Sequence, residues 1–327
     1  MNTLKEIAHY IKSNDNFLII SHEHPDGDNI GSQLALAIFL KKKKKNFYIY
    51  NHDEVPEFLN FLPFSELIKT SLPIGFKVEN VIMVDTGDIS RTGKVAGFVE
   101  EILKCKDIKL ILLDHHPVTK TNRADLMYVN PSASSTGEII YNLLKILKAK
   151  ITKEIAINLY TAILTDTGSF KQANTTSDTF LVVSQLVKAG AKPSEIASKI
   201  YDTFNLKVLK LTAYMLSKIR TNQKGNVAYS YITRDMFKKA GATDEHTEGL
   251  INYIRSLAGV KVAVLFREVE KDKIKVTFRS KESINILPVV QKFGGGGHPN
   301  AAGVLMKGKL GYIKRKVLKE VYRVFGK

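Results

Sequence analysis

The stretch KLILLDHH, residues 109–116, sets a run of apolar residues directly before Asp114, His115 and His116. Three further acidic clusters follow apolar segments in the same way: SHEHPDGD at 21–28, VDTGD at 84–88 and TDTG at 165–168. A buried strand that ends in Asp presents its carboxylate at the carboxyl edge of a sheet, and open α/β sheets bind ligands in the crevice outside that edge. Four such edges would gather His22, Asp26, Asp28, Asp85, Asp114, His115, His116 and Asp166 into one cleft. Carboxylates so crowded repel one another unless cations neutralise them, and Asp and neutral His are ordinary ligands of divalent metals. The chain therefore reads as a metalloenzyme.

Working outward, Asn16–Ser21 reads as a buried strand, the HEHPDGD segment as a loop, Ile30–Leu40 as a helix, and Phe47–Tyr50, Val81–Val84 and Lys109–Leu113 as strands. This alternation predicts an α/β fold whose first domain is a mostly parallel sheet with flanking helices. Ser135-Thr136-Gly137-Glu138 has the spacing of a capping box, and Ile139, Ile140, Leu143, Leu144 and Leu147 share one face of the helix that follows. A second helix, with Ile151, Ile155, Leu159, Ala162 and Ile163 on one face, delivers the chain to Asp166. Helical periodicity continues from Thr176 to about Arg220, broken at 189–193. From Asn226 the texture changes to shorter strands, Val227–Ile232, Val260–Glu268 and Lys273–Ser280, with a helix around Glu248–Leu257. The expected organisation is a catalytic domain over 1–188, a linker over 189–222 and a smaller α/β substrate-binding domain over 223–327.

A chain of 327 residues is long enough for two such cores. No stretch approaches the roughly 18 to 20 apolar residues of a membrane span, and MNTLKEIAHYIK lacks the apolar core of a signal peptide, so a cytoplasmic protein is expected. Cys105 is the only cysteine. Thiolate sites are excluded, and the ligands must be N and O. Mixed Asp and His donors suit Mn²⁺ better than a structural zinc, with Mg²⁺ the alternative because four carboxylates supply hard oxygen. Two divalent ions about 3.5–4 Å apart can clamp the attacking and leaving oxygens of an in-line phosphoryl displacement. Forty-nine Lys and Arg against 32 Asp and Glu give a formal charge of +17, and a positive field around an acidic metal cleft draws anionic substrates such as phosphates. The competing account of that charge is simple solubility. Lys41–Lys45 follow the apolar Leu34–Leu40 pattern and meet a helix C-terminal dipole, so they are not counted as a binding patch.

FGGGGHPNAAG at 293–303 is the second strong signal. Glycines 295–297 let backbone N–H groups approach a phosphate or nucleotide closely, and His298 can donate to a phosphate oxygen. Arg279, in the preceding FRS segment with Ser280, offers a second contact of fork geometry. Arg91, in GDISRTG, is a weaker candidate for which a surface ion pair serves equally well. His24 reads as a surface histidine.

The series SHEHPDGDNIGS, VDTGD, LLDHH, SSTGE and TDTGSF resembles the DHH phosphoesterase superfamily, and FRS with GGGGHPNAAG resembles its associated C-terminal substrate-binding domain. The compact two-domain length is similar to the oligoribonuclease and pAp phosphatase group, which overlaps with stand-alone cyclic-di-AMP phosphodiesterases. The resemblance implies two divalent ions, one held by His22, Asp26 and Asp85 and the other by Asp28, Asp85, His115 and Asp166, with Asp85 bridging. It implies that Asp114 orients the histidines, that His116 faces the scissile phosphate as donor or general acid, and that Arg279, Ser280, His298 and glycines 295–297 hold the distal phosphate or base. The implied substrates are short RNA, pAp, pApA and cyclic di-AMP, and a homodimer is compatible with this reading. A RecJ-like exonuclease on longer strands and a non-catalytic nucleotide sensor are the competing functions.

Overall fold

Four consecutive apolar residues, Phe17–Ile20, form strand β1, and all four are buried. A run that is apolar on both faces is what a strand covered by helices on either side requires. In the computed structural model, which describes residues 2–117, 124–202, 205–247, 249–281 and 284–325, β1 lies inside a six-stranded sheet. The other strands in chain order are β2 (Phe47–Tyr50), β3 (Ile68–Lys69), β4 (Asn80–Val84), β5 (Lys109–Asp114) and β6 (Leu126–Val129). Their spatial order is β3-β2-β1-β4-β5-β6, and every adjacent pair is parallel. The order runs outward in both directions from β1. Between β1 and β4 it reverses, which is where doubly wound sheets open a crevice at their carboxyl ends.

The side-chain period of two divides the core. Phe17, Ile19, Ile82, Val84, Ile111 and Leu113 pack on one face, while Leu18, Ile20, Val81, Met83, Leu110 and Leu112 pack on the other. The first face is covered by α1 (Leu4–Ser13), α2 (Gly27–Lys42) and, later in the chain, α4 (Thr136–Ile146) and α5 (Lys153–Asp166); α3 (Val95–Ile102) covers the second through Val95 and Val99. Two more helices, α6 (Ser177–Lys188) and α7 (Pro193–Tyr201), complete the first unit, Met1–Thr203. Helix α2 begins at Gly27 rather than Ile30, so Asp26 is its N-cap and Asp28 sits in its first turn instead of in a loop. The early start needs a close neighbour: a Cβ on Gly31 would come 2.3 Å from the Asn158 carbonyl oxygen of α5, which leaves room only for glycine. At α4 the expected capping box is half formed. Ser135 Oγ accepts from Glu138 N, but the Glu138 carboxylate turns to Ser134 N, Ser134 Oγ and Thr179 Oγ1.

The second unit, Phe204–Lys327, holds α8 (Leu206–Leu216), β7 (Arg220–Thr221), β8 (Val227–Ile232), α9 (Arg234–Ala240), α10 (Ile251–Arg255), β9 (Val262–Glu270), β10 (Lys273–Ser280), α11 (Leu287–Gln291), β11 (Gly296–His298), β12 (Ala301–Lys307) and α12 (Leu310–Arg323). The division between the units falls inside the segment read from sequence as a linker. This sheet is mixed, in the order β11-β12-β10-β9-β8-β7, with only the β8–β9 pair parallel. In β10 the alternation KIKVTFRS buries Ile274, Val276, Phe278 and Ser280 and turns Lys273, Lys275, Thr277 and Arg279 the other way. The inner face meets Val290, Ile313, Val317 and Val321. The helix expected over Glu248–Leu257 is shorter: Gly249 has φ +71°, and Glu248 lies outside the described residues.

Candidate metal centre

The carboxyl ends of β1, β4 and β5 and the end of α5 bring the acidic clusters together. His22 follows β1, and its Nδ1 donates to the Glu23 carbonyl oxygen at 2.7 Å. Its Nε2 lies 3.4 Å from Asp85 Oδ2. Asp26 caps α2 with Oδ1, which accepts from Asp28 N and Asn29 N at 3.0 Å each. Asp28 is almost fully buried and is held by the first turn of α4: Thr136 N donates to Oδ2 at 2.7 Å and Gly137 N to Oδ1 at 2.8 Å. A helix N-terminus thus faces a carboxylate, the favourable sense for its dipole. The same turn reaches Asp85, whose Oδ1 accepts from Thr136 Oγ1 at 2.9 Å. Asp85 itself has φ +61°, a left-handed conformation that a non-glycine residue adopts at a cost.

At the end of β5 the two histidines part ways. Asp114 Oδ1 accepts from His116 N at 3.0 Å and from His116 Nδ1 at 2.8 Å. His115 hydrogen-bonds the Ala133 backbone, and its Nε2 is buried with no hydrogen-bond partner among the described residues. That nitrogen lies 3.8 Å from Asp28 Oδ2, 3.8 Å from Asp85 Oδ1 and 3.6 Å from Asp166 Oδ2. Asp166, the last residue of α5, is steadied by Asn174, whose Nδ2 donates to Oδ2 at 3.2 Å and to the Ser134 carbonyl at 2.8 Å.

Three groups of donor atoms each lie within 4.8 Å of one another: His22, Asp26 and Asp85; Asp28, His115 and Asp166; and Asp85, His115 and His116. Burial pushes the Asp28 and Asp85 carboxyls well above the usual carboxylate range, and the neighbouring acids, Asp85 for the first and Asp26 for the second, push further. Asp166 is raised to about 6 by burial and then by Asp26. Burial, with His116 beside it, holds the His115 imidazole below its ordinary value and so neutral. His116 goes the other way, to about 9, chiefly through its hydrogen bond to Asp114. A cleft of mutually repelling carboxylates, two of them buried, with an imidazole nitrogen that has no hydrogen-bond partner among the described residues aimed among three of their oxygens, fits divalent cations.

Thr136, Gly137 and Asn174 were not singled out as contacts from sequence. Thr136 and Gly137 meet Asp28 from 108 and 109 positions away and Asn174 meets Ser134 from 40, and only the capping spacing at 135–138 hinted that this turn was special. A Cβ on Gly137 would lie 2.6 Å from Ala162 Cβ, so glycine is what lets α4 start against α5 and bring its amides to Asp28. Arg91 is exposed, and its backbone carbonyl accepts from Glu23 N at 2.7 Å. His24 is a surface residue, 88% exposed and 3.6 Å from Asp53.

The remaining sequence candidates belong to the second unit. Arg279, Ala301 and His298 share one register row across β10, β12 and β11. Arg279 is part-buried and has no carboxylate partner among the described residues; burial and the nearby Arg255 lower its pKa. Arg255 is a second cation that the sequence did not mark. Ser280 differs from expectation: strand alternation turns it inward, where its hydroxyl donates to the Ile284 carbonyl and accepts from Asn300 Nδ2, so it fixes a turn. The glycine run is not an open loop either. Gly296–His298 is an edge strand, and a Cβ on Gly295 or Gly297 would come 2.5 Å from the carbonyl oxygen of Gly303 or Ala301. Those two glycines are required by their own hairpin.

Residues 16–163 match the DHH family N-terminal domain and residues 224–324 the DHHA1 domain. Over 296 residues the chain is 32% identical to the bifunctional oligoribonuclease and PAP phosphatase NrnA of Thermus thermophilus, an alignment covering 89% of this chain and 84% of that one. The chain belongs to the DHH family. The protein of the same name from Bacillus subtilis is 30% identical over 303 residues, 91% of each chain. Among solved structures, an exopolyphosphatase-related protein from Bacteroides fragilis superposes with a TM-score of 0.86 at 25% identity, covering 98% of this chain and 94% of that one. The DHH match takes in every site residue from His22 to His116, and the DHHA1 match takes in Arg279 and His298.

Proposed function

We propose that the chain is a metal-dependent phosphoesterase that hydrolyses short nucleotide substrates, oligoribonucleotides of a few residues and pAp, to mononucleotides. The observation that carries this reading is the convergence of the His22/Asp26/Asp85 and Asp28/His115/Asp166 groups, with Asp85 Oδ1 close enough to His115 to serve both. In this reading His22, Asp26 and Asp85 would hold one ion, and Asp28, Asp85, His115 and Asp166 the other. When bound, divalent ions supply charge neutralisation and an acidified water for in-line phosphoryl displacement. Mn²⁺ is the proposed ion, since the donors are carboxylates and imidazoles without thiolate.

The chain's own residues do the rest. His116, held protonated by Asp114, donates a hydrogen bond to a phosphate oxygen or a proton to the leaving oxygen. The α4 amides and Thr136 fix the Asp28 and Asp85 carboxylates so that little reorganisation is needed. In the second unit, the Arg279 guanidinium, which has no carboxylate partner among the described residues, anchors the distal phosphate together with His298. The names of the Thermus and Bacillus relatives support oligoribonucleotides and pAp as the substrate class; pApA and cyclic di-AMP carry the phosphodiester of an oligoribonucleotide and are the further candidates. No helix among the described residues is long and apolar enough to cross a membrane, and the proposal places the protein in the cytoplasm, with its nucleotide substrates.

The test is turnover in Mn²⁺ over pAp, pApA, cyclic di-AMP and RNA of increasing length, with separation of products. Mononucleotides from pAp and short RNA, abolished by chelation, are the expected result. Absence of hydrolysis of every substrate in either Mn²⁺ or Mg²⁺ would overturn the proposal.

A further inference from the structure

The net charge is divided very unevenly. Residues 204–327 carry 25 Lys and Arg against 9 Asp and Glu, a formal +16, which leaves +1 for residues 1–203. Part of that excess lies on the face of the second sheet that α8, α9 and α10 cover over β8 and β9, where Leu265 is buried, and that is more exposed over β10, β12 and β11. Register sets three rows there: Arg279, Ala301 and His298; then Leu265, Thr277, Gly303 and Gly296; then Arg267, Lys275 and Leu305. Arg267, Lys275, Gly296, Gly303 and Leu305 line a single groove.

The glycine pair in the middle row has no internal explanation. A Cβ on Gly296 would meet nothing within 4 Å, and one on Gly303 would come only to 3.4 Å from the Val276 carbonyl oxygen, an ordinary contact; neither has a left-handed φ. Gly295 and Gly297 are demanded by the hairpin, whereas Gly296 and Gly303 leave a bare floor facing outward. Beyond that floor stand two cations of different kinds. Lys275 is exposed and without an ion pair among the described residues. Arg267 is 14% exposed and rigid, its Nη1 bonded to Asp244 Oδ1 at 2.7 Å and to Thr247 Oγ1 at 3.1 Å. Asp244 is shared with Arg234 at 3.1 Å, so one carboxylate faces two guanidinium groups.

We propose that this groove is a second phosphate subsite, distinct from the Arg279/His298 row, which takes the backbone of an oligonucleotide beyond its anchored end. It rests on the reading of the second unit as the substrate anchor and adds a measure of length to it. Four residues along β10 separate Lys275 from Arg279, about 14 Å at roughly 3.4 Å per residue. One phosphate cannot serve both rows. A bisphosphonucleoside therefore engages the first row alone, while a strand of several nucleotides crosses the glycine floor and reaches Lys275.

Lys275→Ala removes the free cation, and Gly303→Val fills the floor; both variants of the full chain are assayed beside wild type on pAp, a dinucleotide and a five-nucleotide RNA in Mn²⁺. Hydrolysis of pAp is expected to be unchanged, while kcat/KM for the five-mer falls about tenfold in Lys275→Ala, as for a lost charge-assisted contact. The salt dependence of the five-mer reaction, as the slope of log kcat/KM against log salt, is expected to become shallower by about 0.7, one single-strand phosphate contact. A merely structural role would leave that slope in place. Equal losses on pAp and the five-mer, or no loss on either, would overturn the proposal. If wild type hydrolyses none of the three, the phosphoesterase reading fails separately, and the groove is judged by binding of a fluorescent five-mer: weaker binding by Lys275→Ala supports it and equal binding overturns it.

Discussion

Asp114 Oδ1 receives both the backbone N–H and the Nδ1–H of His116, at 3.0 and 2.8 Å. Two bonds from one residue to one oxygen lock the imidazole in a single orientation and keep its proton, with the pKa raised to about 9. His116 is thereby a proton donor across the neutral range, while its neighbour His115 is held neutral. Adjacent histidines in one motif have been given opposite chemistry by their partners.

Activity is expected to fall as pH rises through about 9, where His116 loses its proton. Asp114→Asn removes the carboxylate charge and should shift that alkaline limb toward the ordinary imidazole range. His116→Ala should lower kcat by roughly 10² or more while Mn²⁺ content stays intact. Loss of one metal equivalent in His116→Ala but not in His115→Ala would reverse the two assignments.

Metal binding should stabilise the protein increasingly as pH rises. Burial and Asp26 raise Asp166 to about 6 in the folded chain, against 3.8 for an ordinary aspartate, and Asp28 and Asp85 are raised as well. Without metal the folded state therefore binds more protons than the unfolded state between those values, so stability falls as pH rises through that window. Ions that neutralise the carboxylates remove the penalty. The Tm increase produced by Mn²⁺ is expected to be larger at pH 8 than at pH 5, and an equal increase at both would exclude these acids as its source.

Gly137→Ala should destabilise the first unit by about 1–3 kcal/mol, the usual cost of overpacking, because its Cβ would meet Ala162 at 2.6 Å. Denaturant unfolding checks the stability. Mn²⁺ affinity should fall with it, since moving the α4 turn withdraws two amides from Asp28.

Strands were the legible part of the fold. β8 and β10 have the bounds that alternation and β-branching predict, and β1, β4 and β5 end where the acidic clusters begin. The acids of the site were legible for the same reason, because each follows an apolar run. Contacts between distant residues were not. Nothing local to Thr136 announces Asp28, 108 positions earlier, and Asn174 reaches Ser134 across 40. Ser280 was misread because adjacency to Arg279 suggests a shared role, while a strand sends neighbours to opposite faces. The glycine run concealed two demands, close packing at 295 and 297 and bare surface at 296.

Arg279→Ala or His298→Ala should cost on the order of 1.5–3 kcal/mol in kcat/KM for a dinucleotide while leaving metal content unchanged. Ser280→Ala, which loses only its turn contacts, is expected to change stability rather than kcat/KM. A dinucleotide should be hydrolysed in preference to a 24-mer. Faster, processive degradation of the 24-mer would favour the long-strand exonuclease reading.

The most direct test of the account is metal stoichiometry measured together with turnover in Asp85→Asn. Asp85 faces His22 at 3.4 Å through Oδ2 and His115 at 3.8 Å through Oδ1. If it bridges two ions, wild type binds two Mn²⁺ per chain, and Asp85→Asn loses both bound metal and hydrolysis. An Asp85→Asn protein that keeps two Mn²⁺ and near-wild-type turnover would contradict the shared-ligand centre.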